Sequence, residues 1–203
     1  MHRTISLITV LVIIFGFTIT THAITAVFNF DNLPINTQTP FTDTNNGLSA
    51  TFSSGDPVSG YIVADSESAF VSITGYLLVT YPYGNDTALT ITFSEPVTSI
   101  SFDFSYEIFP ENQIMGVLSN GYSFIATGSI TDGYVFPEGE VNLSFATPFN
   151  TIILTNTSSE WANFAIDNLT VDTGSTAVPE PATMLLLGSG LLGLWGFRRK
   201  FRK

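Results

Sequence analysis

The central part of this sequence limits the available chemistry to oxygen-bearing side chains. Residues 24–177 contain no His, Cys, Lys or Arg but hold sixteen of the seventeen carboxylates, which gives this part a formal charge near −16. The lack of His and Cys excludes a Ser-His-Asp triad, a thiol nucleophile and zinc sites built on these residues. Nucleic acids and phosphates are disfavoured as partners because they would find no cation to pair with.

Two aspartates at opposite ends of this region define a candidate metal site. Asp31 follows the first apolar segment, whereas Asp167 and Asn168 lie in the last one. Carboxylate and amide oxygens are the ligands that Ca²⁺ takes in proteins. If the first and last segments are neighbours, the sequence predicts a calcium site at Asp31, Asp167 and Asn168. The alternative is a set of solvated or turn-capping carboxylates.

Aromatic side chains near turns form a second candidate site. Tyr81, Tyr83 and Trp161 lie close to segments rich in Pro, Gly, Asn and Ser. An aromatic ring with a polar edge provides an apolar face together with a hydrogen-bonding group, which suits a sugar ring. We therefore expect these three residues to bind a neutral polysaccharide. Packing at the rim of the core is the alternative.

A pair of carboxylates is the remaining catalytic possibility. A glycoside hydrolase uses two carboxylates about 5.5 Å or about 6.5–9.5 Å apart. Five glutamates are candidates for such a pair: Glu107, Glu111, Glu138, Glu140 and Glu160. Their spacing in the sequence favours no particular pair, and a solvated acidic surface is the interpretation that we favour. We predict that the protein is not an enzyme.

Short runs of alternating apolar and polar residues indicate an all-β fold. Residues 89–94 and 100–106 show the alternation most clearly, and ten to twelve such runs are separated by Gly, Pro, Asn and Asp. This pattern is typical of a β-sandwich and predicts a jelly-roll-like one. An opening strand from Val27 is predicted to stop at Pro34, and residues 36–46 are predicted to be a loop.

Local breaks in the alternation predict three further features of the sandwich. Glu95-Pro96 is expected to end one strand before the next begins at Ile100. Asn120-Gly121 is expected to form a tight hairpin turn. A bulge at Asp167-Asn168 would return Leu169 and Val171 to the core, because these two residues otherwise have the wrong parity.

The first 23 residues have the composition of a cleaved signal peptide. Arg3 supplies a positive start, residues 5–19 form an apolar run, and Thr21-His22-Ala23 is a cleavage site of the small-x-small type. We therefore predict a β-sandwich domain over residues 24–173, followed by a short linker over residues 174–177. An uncleaved signal anchor is the alternative.

The last 26 residues contain three parts in a fixed order. The rigid motif Val178-Pro179-Glu180-Pro181 comes first, and an uncharged, mostly apolar run over residues 182–197 follows. The run would form a transmembrane helix of about 24 Å. A basic end then follows, formed by Arg198, Arg199, Lys200, Arg202 and Lys203. The basic end is expected on the cytoplasmic side, which places residues 24–177 outside. The alternative is a permanent single-pass membrane anchor, which would have the same features.

The Pro-Glu-Pro motif, the apolar helix and the basic end together resemble a PEP-CTERM sorting signal. The resemblance implies an exported protein that is held at the inner membrane and then processed by an exosortase near the motif. Residues 30–34, 96–104 and 164–171 are also similar to β-sandwich domains that are joined to such tails, and to carbohydrate-binding jelly rolls. No sugar-binding or catalytic residue follows from this second similarity.

These observations predict an exported, non-catalytic protein of the cell surface or the extracellular matrix. Its body would bind neutral polysaccharide or contribute to a biofilm-like matrix. Two alternatives stay open at this stage. One is a glycoside hydrolase with two catalytic carboxylates, and the other is a surface protein that keeps its membrane anchor.

Overall fold

A computed structural model describes residues 23–55, 60–66, 70–81, 88–106, 113–131, 136–157, 163–174 and 188–190. Residues Ala23–Gly174 form one compact unit. Ten β-strands occur in the described part of the unit: β1 (Thr25–Phe28), β2 (Phe41–Asn45), β3 (Leu48–Ser54), β4 (Gly60–Asp65), β5 (Tyr76–Tyr81), β6 (Leu89–Tyr106), β7 (Ile114–Leu118), β8 (Ser123–Ala126), β9 (Glu138–Asn156) and β10 (Phe164–Asp172). All of their pairings are antiparallel. The predicted all-β class is confirmed.

Two long strands, β6 and β9, connect the two layers of the sandwich. The first half of β6 pairs with β3 and with the last part of β9, whereas its second half pairs with β10 and with the first part of β9. We call the sheet formed by β2, β3, β7, β8, the first half of β6 and the last part of β9 the first layer. The second layer contains β1, β4, β5, β10 and the remaining halves.

The predicted break at Glu95-Pro96 is wrong, because β6 runs through it. The register between β6 and β9 shifts between Thr92 and Val97 and again between Val97 and Ser99. Such irregularities bend a strand without ending it. The two predicted strands are therefore two halves of one strand that passes from the first layer to the second.

The prediction of a loop over residues 36–46 is also wrong in part, because Phe41–Asn45 forms β2. Asn46 and Gly47 both have positive φ, at 50° and 85°, which allows a tight hairpin turn into β3. The opening strand is shorter than predicted and ends at Phe28. Phe30 has a φ of 60°, which is incompatible with an extended strand.

Alternate residues of both layers meet in an aromatic core. Phe52 contacts Phe28, Phe30 and Phe41, with ring centroids 6.2, 5.4 and 4.9 Å away, respectively. Phe149 lies 6.2 Å from Phe93 by the same measure. Rings of this size bury large apolar areas, and their edge-to-face contacts add to the stabilisation. The core explains how this acidic unit folds without a disulfide, since the chain has no cysteine.

The remaining local predictions agree with the fold. Asn120 and Gly121 form the turn between β7 and β8, and Gly121 has a φ of 87°. The β6–β10 register shifts between Asp167 and Thr170, which places Leu169 and Val171 in the core. The bulge at Asp167-Asn168 is thereby confirmed. The first strand, β1, pairs with the last strand, β10.

The predicted terminal segments fall almost wholly outside the described residues. This holds for residues 1–22 of the signal peptide, for the sorting motif and for the basic end. Residues 188–190, within the apolar run, are helical. In the described part of the chain, no helix has both the length and the apolar character that crossing a membrane requires.

Candidate functional site

A segment that we call the strap, residues 70–76, covers part of the outer face of the second layer. Ile73 is buried against Leu77 and Ala165, and Phe70 and Val79 pack against the same small cluster. Ala165 points away from the main core because it alternates with Phe164 and Ile166. The strap therefore forms a second apolar contact on the side of the sheet that would otherwise face solvent.

Glu138 holds the strap through several hydrogen bonds. Its Oε1 accepts from the amide of Val71 at 2.7 Å, and its Oε2 accepts from the amide of Ser72 at 2.7 Å and from the Ser72 hydroxyl. Burial alone would raise the pKa of Glu138, but the hydrogen bonds from Ser72, Val71 and Ile73 outweigh it and the pKa is lowered. Glu138 is therefore an ionised structural anchor.

Asp31 holds the other end of the strap. Its Oδ1 accepts from the amide of Tyr76 at 2.8 Å, and its Oδ2 accepts from the side-chain amide of Asn29 at 3.0 Å. Gly75 has a φ of 79°, and a Cβ at this position would overlap Asp31 Oδ1. Glycine is thus required here both for the backbone conformation and for the approach of the carboxylate.

The bulge in β10 places Asp167 beneath the strap. Asp167 is 0% exposed, and its Oδ1 accepts from the amide of Asn168 at 2.7 Å. Among the described residues, no donor forms a hydrogen bond with Asp167 Oδ2. Asn168 has a φ of 51°, and its side-chain amide donates to Asp103 Oδ2 at 2.9 Å. Asp103 faces Asp167 directly across the β6–β10 pair.

The electrostatic environment raises the pKa of the Asp167 carboxyl so that it titrates near neutral pH. Burial is the main cause that raises its pKa from 3.8 to about 7, and the charges of Asp31 and Asp103 raise it further. The amides of Asn168 and Thr74 act in the opposite direction. Because no cation occurs between residues 24 and 177, nothing in the body can pair with this group as an ion.

The fold therefore brings Asp31, Asp167 and Asn168 into one neighbourhood, and it adds Asp103. Sequence reasoning missed Asp103, although its position between Phe102 and Phe104 puts it on the outward parity of β6. In the part of the chain that the structure describes, no group of three or more His, Cys, Asp or Glu side chains is arranged to hold a metal ion. The calcium site stays a prediction.

The other candidate residues are only partly described. Tyr81 ends β5, where its backbone pairs with Gly60. Tyr83 and Trp161 lie outside the described residues, as do Glu107, Glu111 and Glu160. Glu140 is exposed and faces Asp103 across the β6–β9 pair. Of the five candidate glutamates, Glu138 is occupied by its hydrogen bonds to the strap.

Comparison with known families identifies the C-terminal segment. Residues 177–200 match the family model described as the PEP-CTERM protein-sorting motif. The chain ends in a PEP-CTERM sorting motif. This confirms the prediction made from Val178-Pro179-Glu180-Pro181 and the residues that follow it. The motif implies export, an exosortase partner and sorting to the cell surface.

The chain is also similar to solved carbohydrate-binding modules, at low sequence identity. A family 29 module from Piromyces equi is 16% identical with a TM-score of 0.40, over 77% of this chain and 94% of that chain. A mutant of another family 29 module, complexed with mannohexaose, is 14% identical with a TM-score of 0.33, over 76% and 94% of the two chains. The search of curated proteins gave no significant match.

Proposed function

We propose that this protein is a non-catalytic passenger that an exosortase sorts to the cell surface or the extracellular matrix, where its jelly-roll-like body binds neutral polysaccharide. The observation that carries the proposal is the PEP-CTERM motif at residues 177–200, which follows a body without His, Cys, Lys or Arg. The motif supports export, and the composition of the body restricts what it can do after export.

The state of the buried carboxylates supports a non-catalytic role. Glu138 has a lowered pKa and is committed to the strap, so it is unsuited to donate a proton near neutral pH. Asp167 has a raised pKa, but its side chain is 0% exposed beneath the strap and cannot reach a polysaccharide. A glycoside hydrolase needs an accessible acid and an accessible base or nucleophile together.

The charge of the body supports a neutral ligand. A formal charge near −16 repels anionic polymers, and no Lys, Arg or His in residues 24–177 offsets it. Neutral sugars need hydrogen-bonding groups and apolar contact surfaces, both of which the body supplies. Tyr81, Tyr83 and Trp161 are our candidate ligand contacts.

Binding and turnover can be separated with one preparation. The full chain, purified in detergent, is incubated with microcrystalline cellulose and with insoluble mannan, and the bound protein and the released reducing ends are both measured. Retention without reducing-end release supports the proposal. Release of reducing ends that is lost when Glu140 is changed to Gln would establish the hydrolase instead, and absence of retention on both polymers would refute polysaccharide binding.

Sorting requires a separate measurement. Mass spectrometry of the protein from cells with and without the exosortase gives both chain ends. We expect a chain that starts near Ile24 and lacks the apolar run 182–197 when the enzyme is present. An intact C-terminus in those membranes would instead establish a permanently anchored surface protein.

A calcium ion is our second proposal, and one specific observation favours it. Asp167 Oδ2 is buried near the carboxylates of Asp31 and Asp103, and none of the described residues forms a hydrogen bond with it. A divalent cation would replace the repulsion between these groups with attraction, and Asn168 or backbone oxygens would complete its ligands. Binding would require Asp31 or Asp103 to turn toward Asp167 Oδ2. Addition of Ca²⁺ to protein dialysed against a chelator should raise the Tm, and an unchanged Tm would exclude the site.

A further inference from the structure

The outer face of the first layer carries hydroxyl groups in register across four strands. Thr42 is paired with Thr51, Thr51 with Thr92, and Thr92 with Thr151. Neighbouring strands lie about 5 Å apart, so the row extends over about 14 Å. The hydroxyls of Thr42 and Thr51 are hydrogen-bonded to each other at 2.8 Å. We call the outward side of β2, β3, β7, β8 and the adjoining halves of β6 and β9 the threonine face.

A second row of hydroxyls runs beside the first. The hydroxyls of Thr44 and Ser49 are 2.7 Å apart, and Ser94 Oγ accepts from the amide of Ser49 at 3.0 Å. Threonine is β-branched and therefore has few accessible side-chain conformations in a strand. The rows thus present an ordered set of donors and acceptors whose positions are fixed by the sheet.

The β7–β8 end of the same face is apolar. Val117, Ile125 and Ile153 are 42%, 60% and 39% exposed. Val117 lies directly opposite Ile153, and Ile125 lies opposite Met115. These residues form a contiguous patch, and a contiguous exposed apolar patch indicates a binding surface more strongly than isolated exposed apolar residues do. The face therefore offers hydroxyls on one side and hydrocarbon on the other.

The threonine face also differs from the rest of the body in charge. The hydroxyl rows and the apolar patch themselves contain no charged residue; on these strands Glu95, at the bend of β6, is charged and exposed, and Asp43 is half-buried on the opposite parity of β2. The outer side of the second layer, in contrast, carries Asp103, Asp167, Glu138 and Glu140. In a body with a formal charge near −16, hydroxyl rows and an apolar patch that contain no carboxylate suit an uncharged partner. A second copy of the chain is disfavoured because the two acidic bodies repel each other.

We propose that the threonine face is the surface on which an extended neutral polysaccharide lies. The threonine and serine hydroxyls would exchange hydrogen bonds with sugar hydroxyls, and the Val117, Ile125 and Ile153 patch would cover the apolar faces of adjacent sugar rings. This inference rests on the proposed function and adds the surface of the body on which the polysaccharide would lie. Tyr81, Tyr83 and Trp161 are the competing candidate contacts for the same ligand.

The test compares variants of the full chain in binding to microcrystalline cellulose and insoluble mannan. Thr51→Val, Thr92→Val and Thr151→Val are combined, because valine keeps the branched shape and the strand preference while removing the hydroxyl. We expect at least a tenfold loss of affinity for the polymer that the wild type binds. A second variant, Val117→Thr with Ile153→Thr, removes apolar contact and should lose affinity as well.

The matched control is Thr25→Val with Thr170→Val, which removes two hydroxyls from strands of the second layer. We expect this variant to bind as the wild type does, and the Tm of every variant is measured so that loss of fold is detected. If the wild type binds and both threonine-face variants keep its affinity, the location is wrong although the function stands. If the wild type binds neither polymer, both the proposed location and the proposed function are wrong.

Size-exclusion chromatography with light scattering tests the competing occupant. The wild type should be monomeric once the detergent contribution is subtracted. A dimer that dissociates in the Val117→Thr, Ile153→Thr variant would make the face a contact between copies of the chain and would overturn the proposal.

Discussion

Replacing Asp167 with Asn should make the protein more stable, increasingly so as the pH rises. The wild-type carboxyl has a folded-state pKa of about 7 against an ordinary value of 3.8, because it is buried near Asp31 and Asp103. When the folded state raises the pKa of an acid, the protonated acid contributes fully to the stability of the fold only below its unfolded-state pKa. That contribution is lost as the pH rises from 3.8 through about 7.

The size of the effect follows from the difference between the two pKa values. About three pH units at about 1.4 kcal/mol each amount to about 4 kcal/mol of lost stability above pH 8. Asn has almost the same shape and does not titrate, so the variant avoids this loss. Its oxygen can keep the hydrogen bond from the Asn168 amide, and its new amide can donate toward the carboxylates of Asp31 and Asp103.

Urea unfolding of wild type and variant at pH 4, 5, 6, 7 and 8 measures the prediction directly. The difference in unfolding free energy should be near zero at pH 4 and about 4 kcal/mol in favour of the variant at pH 8. For a domain of this size, that difference corresponds to about 8–16 °C in Tm. Asp43→Asn, on the hairpin strand β2, is the control for general charge reduction. It should change stability by no more than about 0.5 kcal/mol at any pH.

A flat or falling difference between pH 4 and pH 8 would refute the account of Asp167 as a buried, uncompensated acid. Calcium provides a second readout. If the proposed ion binds, it should stabilise the wild type at pH 8 and leave the variant largely unaffected, because the variant lacks the carboxylate that the ion would neutralise.

Three further predictions address the strap and the tail. Glu138→Gln should destabilise the protein by about 2–4 kcal/mol at pH 7, since charge-assisted hydrogen bonds to the strap are lost. Because the pKa of Glu138 is lowered in the folded state, urea unfolding should show the full loss of stability above pH 4.5. The loss should vanish as the pH falls through the folded-state pKa of Glu138. Gly75→Ala should cost at least about 2 kcal/mol, more than Gly121→Ala, because both have positive φ but only Gly75 would also overlap Asp31; equal losses in thermal unfolding would disprove the close approach. Pro179→Ala with Glu180→Ala should leave the C-terminal segment uncleaved in cells that contain the exosortase, as mass spectrometry would show, and normal removal would argue against recognition of this motif.

The sequence predicted those parts of the fold whose signals are local. Alternation in residues 89–94 and 100–106 gave the strands, and the parity of Leu169 and Val171 gave the bulge. The strand β2 was missed because Phe41–Asn45 is short and follows a loop-like segment, although Asn46-Gly47 is a hairpin signal. The continuity of β6 through Pro96 was missed because bending between two layers depends on pairing with β9, which is distant in the sequence.

The candidate site could be predicted only in part for the same reason. Asp31 and Asp167 were placed together through the expected neighbourhood of the first and last strands. The place of Asp103 depends on the β6–β10 register, whereas the role of Glu138 depends on the strap, whose path over the second layer is set by contacts with Ala165 and Leu77. No local pattern in residues 70–76 indicates that they cover a sheet.

The pairing of β1 with β10 has a consequence for the order of events during export. Ile24 and Thr173 are joined by two hydrogen bonds, so the start and the end of the body lie side by side. Strand β10 is also the neighbour of β5 and β6. A chain that crosses the membrane amino end first cannot complete this sheet until its last strand emerges, immediately ahead of the sorting tail. If the protein is exported amino end first, as proposed, its sheet is therefore completed only at the end of translocation, when the last strand has crossed.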